Sequence, residues 1–190
     1  SNDTYSRPWA TSIVFKSDNN NSNQHIWNSG EGSGSSDDNI YLRTDSSGNL
    51  YFGWGRDGAL NECKIATNIS SNIWYGVYIA SKGQRFNGSN ATSNNLSNAF
   101  DIYIMSSSDS FAGLSSNLST TTNWNSGSTG GRMDRTILGD FTIGGRGGNR
   151  NFHGKVARMI ITTLRRNVTM PDTTEIEMMI TDPKQWVIDY

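Results

Sequence analysis

Cysteine occurs once in these 190 residues, histidine twice and proline three times. A lone Cys63 excludes a disulfide within the chain and any cysteine-rich metal site. It lies in the alternating run Glu62-Cys63-Lys64-Ile65, which predicts a buried, inert thiol beside Ile65. Charge is also scarce, at 17% of residues with a formal net charge of −1. The basic residues are scattered, and their densest stretch, Arg146 to Arg166, reads as solvated strand and loop positions. Nucleic acid, which needs a concentrated basic patch, is excluded as a partner. Long hydrophobic runs are absent too: none approaches the roughly 18 residues of a membrane span, so no membrane insertion is expected.

The abundant residues are Ser, Asn, Thr and Gly, which favour turns and disfavour helices. Six Trp, seven Tyr and seven Phe argue against disorder, because they sit in alternating blocks. The dominant period is two. Thr11, Ile13 and Phe15 share one strand face. Ile40 and Leu42 alternate with Tyr41 and Arg43; Leu50, Phe52 and Trp54 with Tyr51 and Gly53. Tyr75, Val77 and Ile79 alternate with Trp74, Gly76 and Tyr78; Phe100, Ile102 and Ile104 with Asp101 and Tyr103. Shorter signals fall at 139–144 and along 152–163. Asp45-Ser46-Ser47-Gly48 predicts a hairpin turn with Gly48 at positive φ.

The stretches 82–98 and 106–136 are long for loops, a length that points to function or motion. One helix is expected over 172–181. Asp172 caps it, Glu175 completes a capping box, and Ile176, Met179 and Ile180 form its apolar stripe. Residues 1–8 read as a linker ahead of a single domain.

Catalytic motifs are missing. His25 and His153 fall in separate strands, outside any H-E-x-x-H pattern, and no G-x-S-x-G or P-loop occurs. Glu175 and Glu177 would align as a glycosidase pair on a strand but not on the expected helix. Hard oxygen ligands for calcium are offered by Asp37, Asp38 and Asp45, which serve equally as turn formers. No cofactor is required.

The outward phases of the strands carry Tyr41, Arg43, Tyr51, Trp74, Tyr78, Asp101 and Tyr103. If the strands are neighbours, these form a stripe of rings with polar groups between them, suited to the apolar faces and hydroxyls of sugars. The alternative is ordinary strand propensity of Tyr under a covering loop or subunit. Trp124, in the polar run Asn123 to Gly127, is either a loop anchor or a ligand platform. Asn125, Arg132 and Asp134 lie beside it. The sequons at Asn68, Asn90 and Asn167 carry little weight in so Asn- and Ser-rich a chain.

Several blocks together resemble laminin-G-like, concanavalin-A-like modules. These are Trp9-Ala-Thr-Ser-Ile-Val-Phe-Lys, the hairpin from Asn39 to Trp54, Ile73-Trp-Tyr-Gly-Val-Tyr-Ile, Phe141-Thr-Ile-Gly-Gly, and Phe152-His-Gly-Lys-Val-Ala-Arg-Met-Ile-Ile. The likeness covers about residues 9 to 186. With "H-I-W-N-x-G-E-G" and "E-I-E-M-M-I-T-D-P" included, the chain is most similar to uncharacterised domains of marine bacteriophage structural proteins. An acidic residue usual in the family is replaced at Ala157-Arg158, so no calcium ligand carries over there. The family's strand before Trp9 is not recognisable, so the chain reads as a piece of a longer protein.

Beside the period-two pattern, which predicts the same two sheets, the resemblance implies an all-β, two-sheet antiparallel jelly-roll sandwich with one short C-terminal helix. Ile13, Phe15, Ile40, Leu42, Phe52, Val77, Ile79, Ile102, Ile104, Phe141, Ile143 and Ile161 are expected to be buried. It also implies a non-catalytic carbohydrate-binding or adhesion module at a virion surface or in the extracellular space, with a cell-surface glycan as partner. The alternative is a structural virion or surface protein that contacts other subunits or its own copies. The expected ligand-binding residues are Trp124, Asn125, Arg132, Asp134, Tyr41, Arg43, Tyr78 and Tyr103.

Overall fold

In the computed structural model, the described residues are 9–18, 22–30, 39–56, 59–66, 68–81, 100–107, 141–145 and 150–163. They form nine strands: β1 (Trp9–Ser17), β2 (Gln24–Gly30), β3 (Asn39–Thr44), β4 (Leu50–Arg56), β5 (Ala59–Ala66), β6 (Trp74–Ser81), β7 (Phe100–Ser106), β8 (Phe141–Ile143) and β9 (Gly154–Thr163). Two antiparallel sheets result, one in the order β7-β6-β1-β9, the other β5-β4-β3-β2-β8. The helix expected over 172–181 lies outside the described residues, and no described helix is long and apolar enough to cross a membrane.

Alternation explains how the sheets meet. Each strand offers one apolar face, and burying both faces against each other is the stable solution. Trp9, Ile13, Phe15, Val77, Ile79, Phe100 and Ile102 from one sheet pack on Ile26, Trp27, Ile40, Leu42, Leu50, Phe52 and Cys63 from the other. Phe52 sits at the centre, edge-on to Phe100 at 5.2 Å and tilted against Trp9 at 6.3 Å. Cys63 is a buried core thiol.

The β3–β4 hairpin turns where the sequence says it should. Gly48 has φ +73°, a conformation that costs a glycine little. Its N–H donates to the Asp45 carbonyl at 3.1 Å. The Asp45 carboxylate accepts from the backbone of Ser47 and Asn49, from Asn49 Nδ2 and from Tyr51 Oη, at 2.8 to 3.1 Å.

Three expectations are corrected. Ile143 and Ile161 are 50% and 43% exposed rather than buried, because each lies on the last strand of its sheet, with a neighbour on one side. Ile104 and Phe141 are only partly buried at the margin of the core. The single outward stripe does not exist. Tyr41, Arg43 and Tyr51 belong to the five-stranded sheet, while Trp74, Tyr78, Asp101 and Tyr103 belong to the four-stranded one, so they face opposite ways.

Candidate functional site

The outer face of the five-stranded sheet gathers polar side chains in two rows. One row runs Thr142, Asn28, Tyr41, Gly53, Glu62 across β8, β2, β3, β4 and β5. The next runs His25, Arg43, Tyr51, Lys64 across β2 to β5. Directly opposed residues share a face, so these rows follow from register alone.

Arg43 and Glu62 stand two strands apart and meet as a fork. Arg43 Nε donates to Glu62 Oε1 at 2.5 Å and Nη2 to Oε2 at 2.6 Å. Tyr41 Oη donates to the same Oε1 at 2.7 Å. Arg43 Nη1 reaches Asn23 Oδ1 at 3.2 Å. The pair is partly sealed, with side chains 15% and 24% exposed. Burial pushes the Glu62 carboxyl up, but hydrogen bonds from Arg43 and Tyr41 and the charges of Arg43 and Arg150 outweigh it and hold it low. Burial likewise pulls the Arg43 guanidinium down, and Glu62 more than restores it.

Between the two cations of the second row lies the Tyr51 ring. The Arg43 guanidinium carbon is 4.7 Å from its centroid and Lys64 Nζ is 5.6 Å away. Both distances are within the range of a cation–π contact. Burial, then the hydrogen bond to Asp45, raises the Tyr51 hydroxyl above its ordinary value. Next to Tyr41, the His25 ring packs at 5.0 Å, and Arg150 Nη1 lies 3.4 Å from His25 Nε2. Asn28, 3% exposed, keeps a buried Oδ1 that accepts no hydrogen bond. An acceptor so placed favours a buried water as its donor.

The charges on this face do not cancel. The carboxylates of Glu62 and Asp45 are occupied by the bonds already described. Among the described residues, neither Lys64 nor Arg150 forms an ion pair. The site therefore presents cations and a half-buried ring, and its carboxylates are turned inward on their own partners.

Among the expected ligand-binding residues that are described, Tyr41 and Arg43 come together on one sheet, and Tyr78 and Tyr103 on the other. Tyr41 is 1% exposed, so its ring is a buried strut and not a stacking platform. Tyr78 is equally buried, on the opposite side of the sandwich. It lies 6.1 Å from half-buried Tyr103, whose hydroxyl is raised by burial and by the charge of Asp101. Trp124, Asn125, Arg132 and Asp134 lie outside the described residues, as do Asp37 and Asp38. Asp45 is the organiser of its turn. No group of three or more His, Cys, Asp or Glu side chains that could hold a metal occurs among the described residues.

Sequence reasoning did not select Glu62, Lys64, Asn28, His25 or Arg150. Alternation about Cys63 and Ile65 already turned Glu62 and Lys64 outward, but not which strand they would face. Tyr51 was placed in the outward phase, and nothing in its own strand marked it as flanked by cations.

No family model matches the chain, and no curated protein does. Solved structures do. The Ruminococcus gnavus IT-sialidase CBM40 superposes with a TM-score of 0.50 at 18% identity, over 94% of this chain and 85% of that one. The same module bound to alpha2,6 sialyllactose gives 0.48 at 18% identity, over 93% and 85%. The LG1-3 region of the laminin alpha2 chain gives 0.49 at 11% identity, over 85% of this chain and 31% of that one. The likeness is one of fold. The chain has a jelly-roll sandwich fold.

Proposed function

We propose that this chain is a non-catalytic carbohydrate-binding module that takes an acidic cell-surface glycan on the outer face of its five-stranded sheet. The observation that carries the reading is the half-buried Tyr51 ring flanked by Arg43 and Lys64. The ring holds two cations side by side, and cations so placed select a carboxylate or sulfate. Lys64 supplies positive charge beside the ring, and Arg150 beside His25. The jelly-roll fold is shared with a module whose name is that of a carbohydrate-binding module. A fold hosts many functions, so the weight rests on the residues. An extracellular or virion surface is the setting in which such a ligand is met.

The carboxylates favour binding over hydrolysis. A general acid needs a raised carboxyl pKa. Glu62 and Asp45 are both held low.

The test is titration of the full chain with alpha2,6 sialyllactose and with its neutral, desialylated counterpart, in wild type and Tyr51→Ala. The reading expects the acidic sugar to bind and the neutral one to bind more weakly. Loss of the ring should weaken binding by roughly tenfold, about 1–1.5 kcal/mol, the worth of the cation–π contacts that place Arg43 and Lys64. Equal affinity of Tyr51→Ala and wild type would move the site off this face.

A further inference from the structure

We infer that Tyr41 is a positioning residue that locks Arg43 through Glu62, and that Gly53 is glycine so that the Tyr41 ring can cross strand β4. The inference rests on the reading of this face as a binding site and names the device that fixes its central cation.

Tyr41 and Glu62 stand in one cross-strand row with Gly53 between them. Two inter-strand spacings separate β3 from β5, roughly 10 Å. A tyrosine spans that distance only by lying flat across the intervening strand. It does so here: a Cβ built on Gly53 would be 2.5 Å from both Tyr41 Oη and Cε2 and closer still to Cζ. No side chain fits there without moving the ring. The contact is against the body of a ring that is 1% exposed, with His25 packed beside it at 5.0 Å, so the ring has little room to yield.

The far end of the ring does the positioning. Tyr41 Oη and Arg43 Nε share Glu62 Oε1, at 2.7 and 2.5 Å. Arg43 Nη2 takes the other oxygen at 2.6 Å. A carboxylate held by one long cation alone can swing with it. Held from a second direction by a rigid ring anchored in β3, it cannot, and the guanidinium is fixed over Tyr51. Arg43 Nε–H and one Nη2–H are spent on Glu62, and one Nη1–H on Asn23. A guanidinium has five N–H groups, so the bonds among the described residues leave two, one on each terminal nitrogen. The lock therefore sets the orientation in which Arg43 meets an anionic ligand.

The experiment uses the full chain as wild type, Tyr41→Phe, Tyr41→Ala, Gly53→Ala and Gly53→Ala/Tyr41→Ala, with melting temperatures recorded for all. The readouts are exchange of the Arg43 Nε–H proton and titration of the Glu62 carboxyl, both by NMR, with affinity for alpha2,6 sialyllactose measured alongside. Tyr41→Phe keeps the ring and removes the hydroxyl bond. It is expected to speed Arg43 Nε–H exchange by roughly tenfold, the worth of one hydrogen bond to a charged group. The Glu62 midpoint should rise, and affinity should fall by a similar factor. Gly53→Ala is expected to lower the melting temperature in the presence of Tyr41 and much less beside Tyr41→Ala, where no ring opposes the new methyl.

Unchanged Nε–H exchange and Glu62 titration in Tyr41→Phe would overturn the inference. So would additive effects of the two substitutions in the double variant. A changed NMR signature with unchanged affinity would overturn the link to binding. If wild type binds no sialyllactose, the functional reading fails, while the NMR measurements still decide whether the lock exists.

Discussion

On the outer face of the four-stranded sheet, β1 and β6 present Ala10, Ser12, Val14, Tyr78 and Ala80, all 2% exposed or less. On the outer face of the five-stranded sheet, β2 to β5 present His25, Asn28, Tyr41, Arg43, Tyr51, Glu62 and Lys64, linked by hydrogen bonds, an ion pair and ring contacts. Both faces obey the same alternation, and both are sealed at their centres. The first is sealed mostly with small and apolar groups, which need only contact, Ser12 and Tyr78 bringing its two hydroxyls. The second is sealed with polar groups, which need partners as well. Burial alone therefore does not mark a functional face. What separates the two is that the polar face gathers its charges round one ring, with Arg43 and Lys64 flanking Tyr51.

The sharpest way to break this comparison is to remove the largest fully buried side chain from the apolar face. Tyr78→Ala deletes a side chain 1% exposed. A truncation of this kind costs about 3–4 kcal/mol, or about 10 °C in melting temperature for a chain of this length. Glycan affinity of the folded fraction should not change. A melting temperature within 2 °C of wild type, by about the same conversion, would show that Tyr78 is not the packed residue described.

On the polar face, Glu62→Ala is the matching deletion. It strips Arg43 and Tyr41 of their shared partner. Breaking a buried pair costs about 3–5 kcal/mol and an exposed one about 0–1. With side chains 15% and 24% exposed, a loss of about 2 kcal/mol in urea unfolding is expected. A cost below about 0.5 kcal/mol would class the fork with ordinary surface pairs.

Acid should erase the same difference gradually. The Glu62 carboxyl is held below its ordinary 4.5 in the folded chain. Folding thus favours its ionised form. The stability so gained is complete above the ordinary value and is lost as pH falls through the lower, folded one. Asp45, held below 3.8 by its turn, acts in the same direction. Wild type should lose stability from pH 5 toward pH 3 more steeply than Glu62→Gln. Parallel curves across that window would remove Glu62 from the account.

Much of the apolar architecture was legible in the sequence, and the reason is local. The alternations in β1, β3, β4, β6 and β7 each show their own inward phase without reference to a partner. β2 shows a strand at His25 but not its inward phase, because the register shift between His25 and Trp27 breaks its period. Ile26 and Trp27, successive residues, are both fully buried. The polar face was legible only in part. Tyr41 and Arg43 could be seen to face outward, but a strut over Gly53 depends on which strand comes next to which. Sheet order is a long-range property that period-two patterns do not carry. The same gap produced the imagined single stripe of rings, which joined residues from two sheets.

The smallest effect separates the faces most cleanly, because each carries the same local contact. Lys64 Nζ lies 5.6 Å from the Tyr51 centroid on the polar face; Lys16 Nζ lies 5.6 Å from the Trp74 centroid on the other sheet. Neither lysine forms an ion pair among the described residues. A partly exposed cation–π contact contributes about 0.5–1 kcal/mol, so Lys64→Ala and Lys16→Ala should each cost that much stability or less, and about equally. Only Lys64 stands in the row with Arg43 and Tyr51. Lys64→Ala should therefore weaken binding of alpha2,6 sialyllactose several-fold and flatten its dependence on salt, since one screened charge is gone. Lys16→Ala should leave both unchanged. Equal losses of affinity in the two variants would mean that positive charge anywhere on the sandwich suffices, and the polar face would lose its claim to be the site.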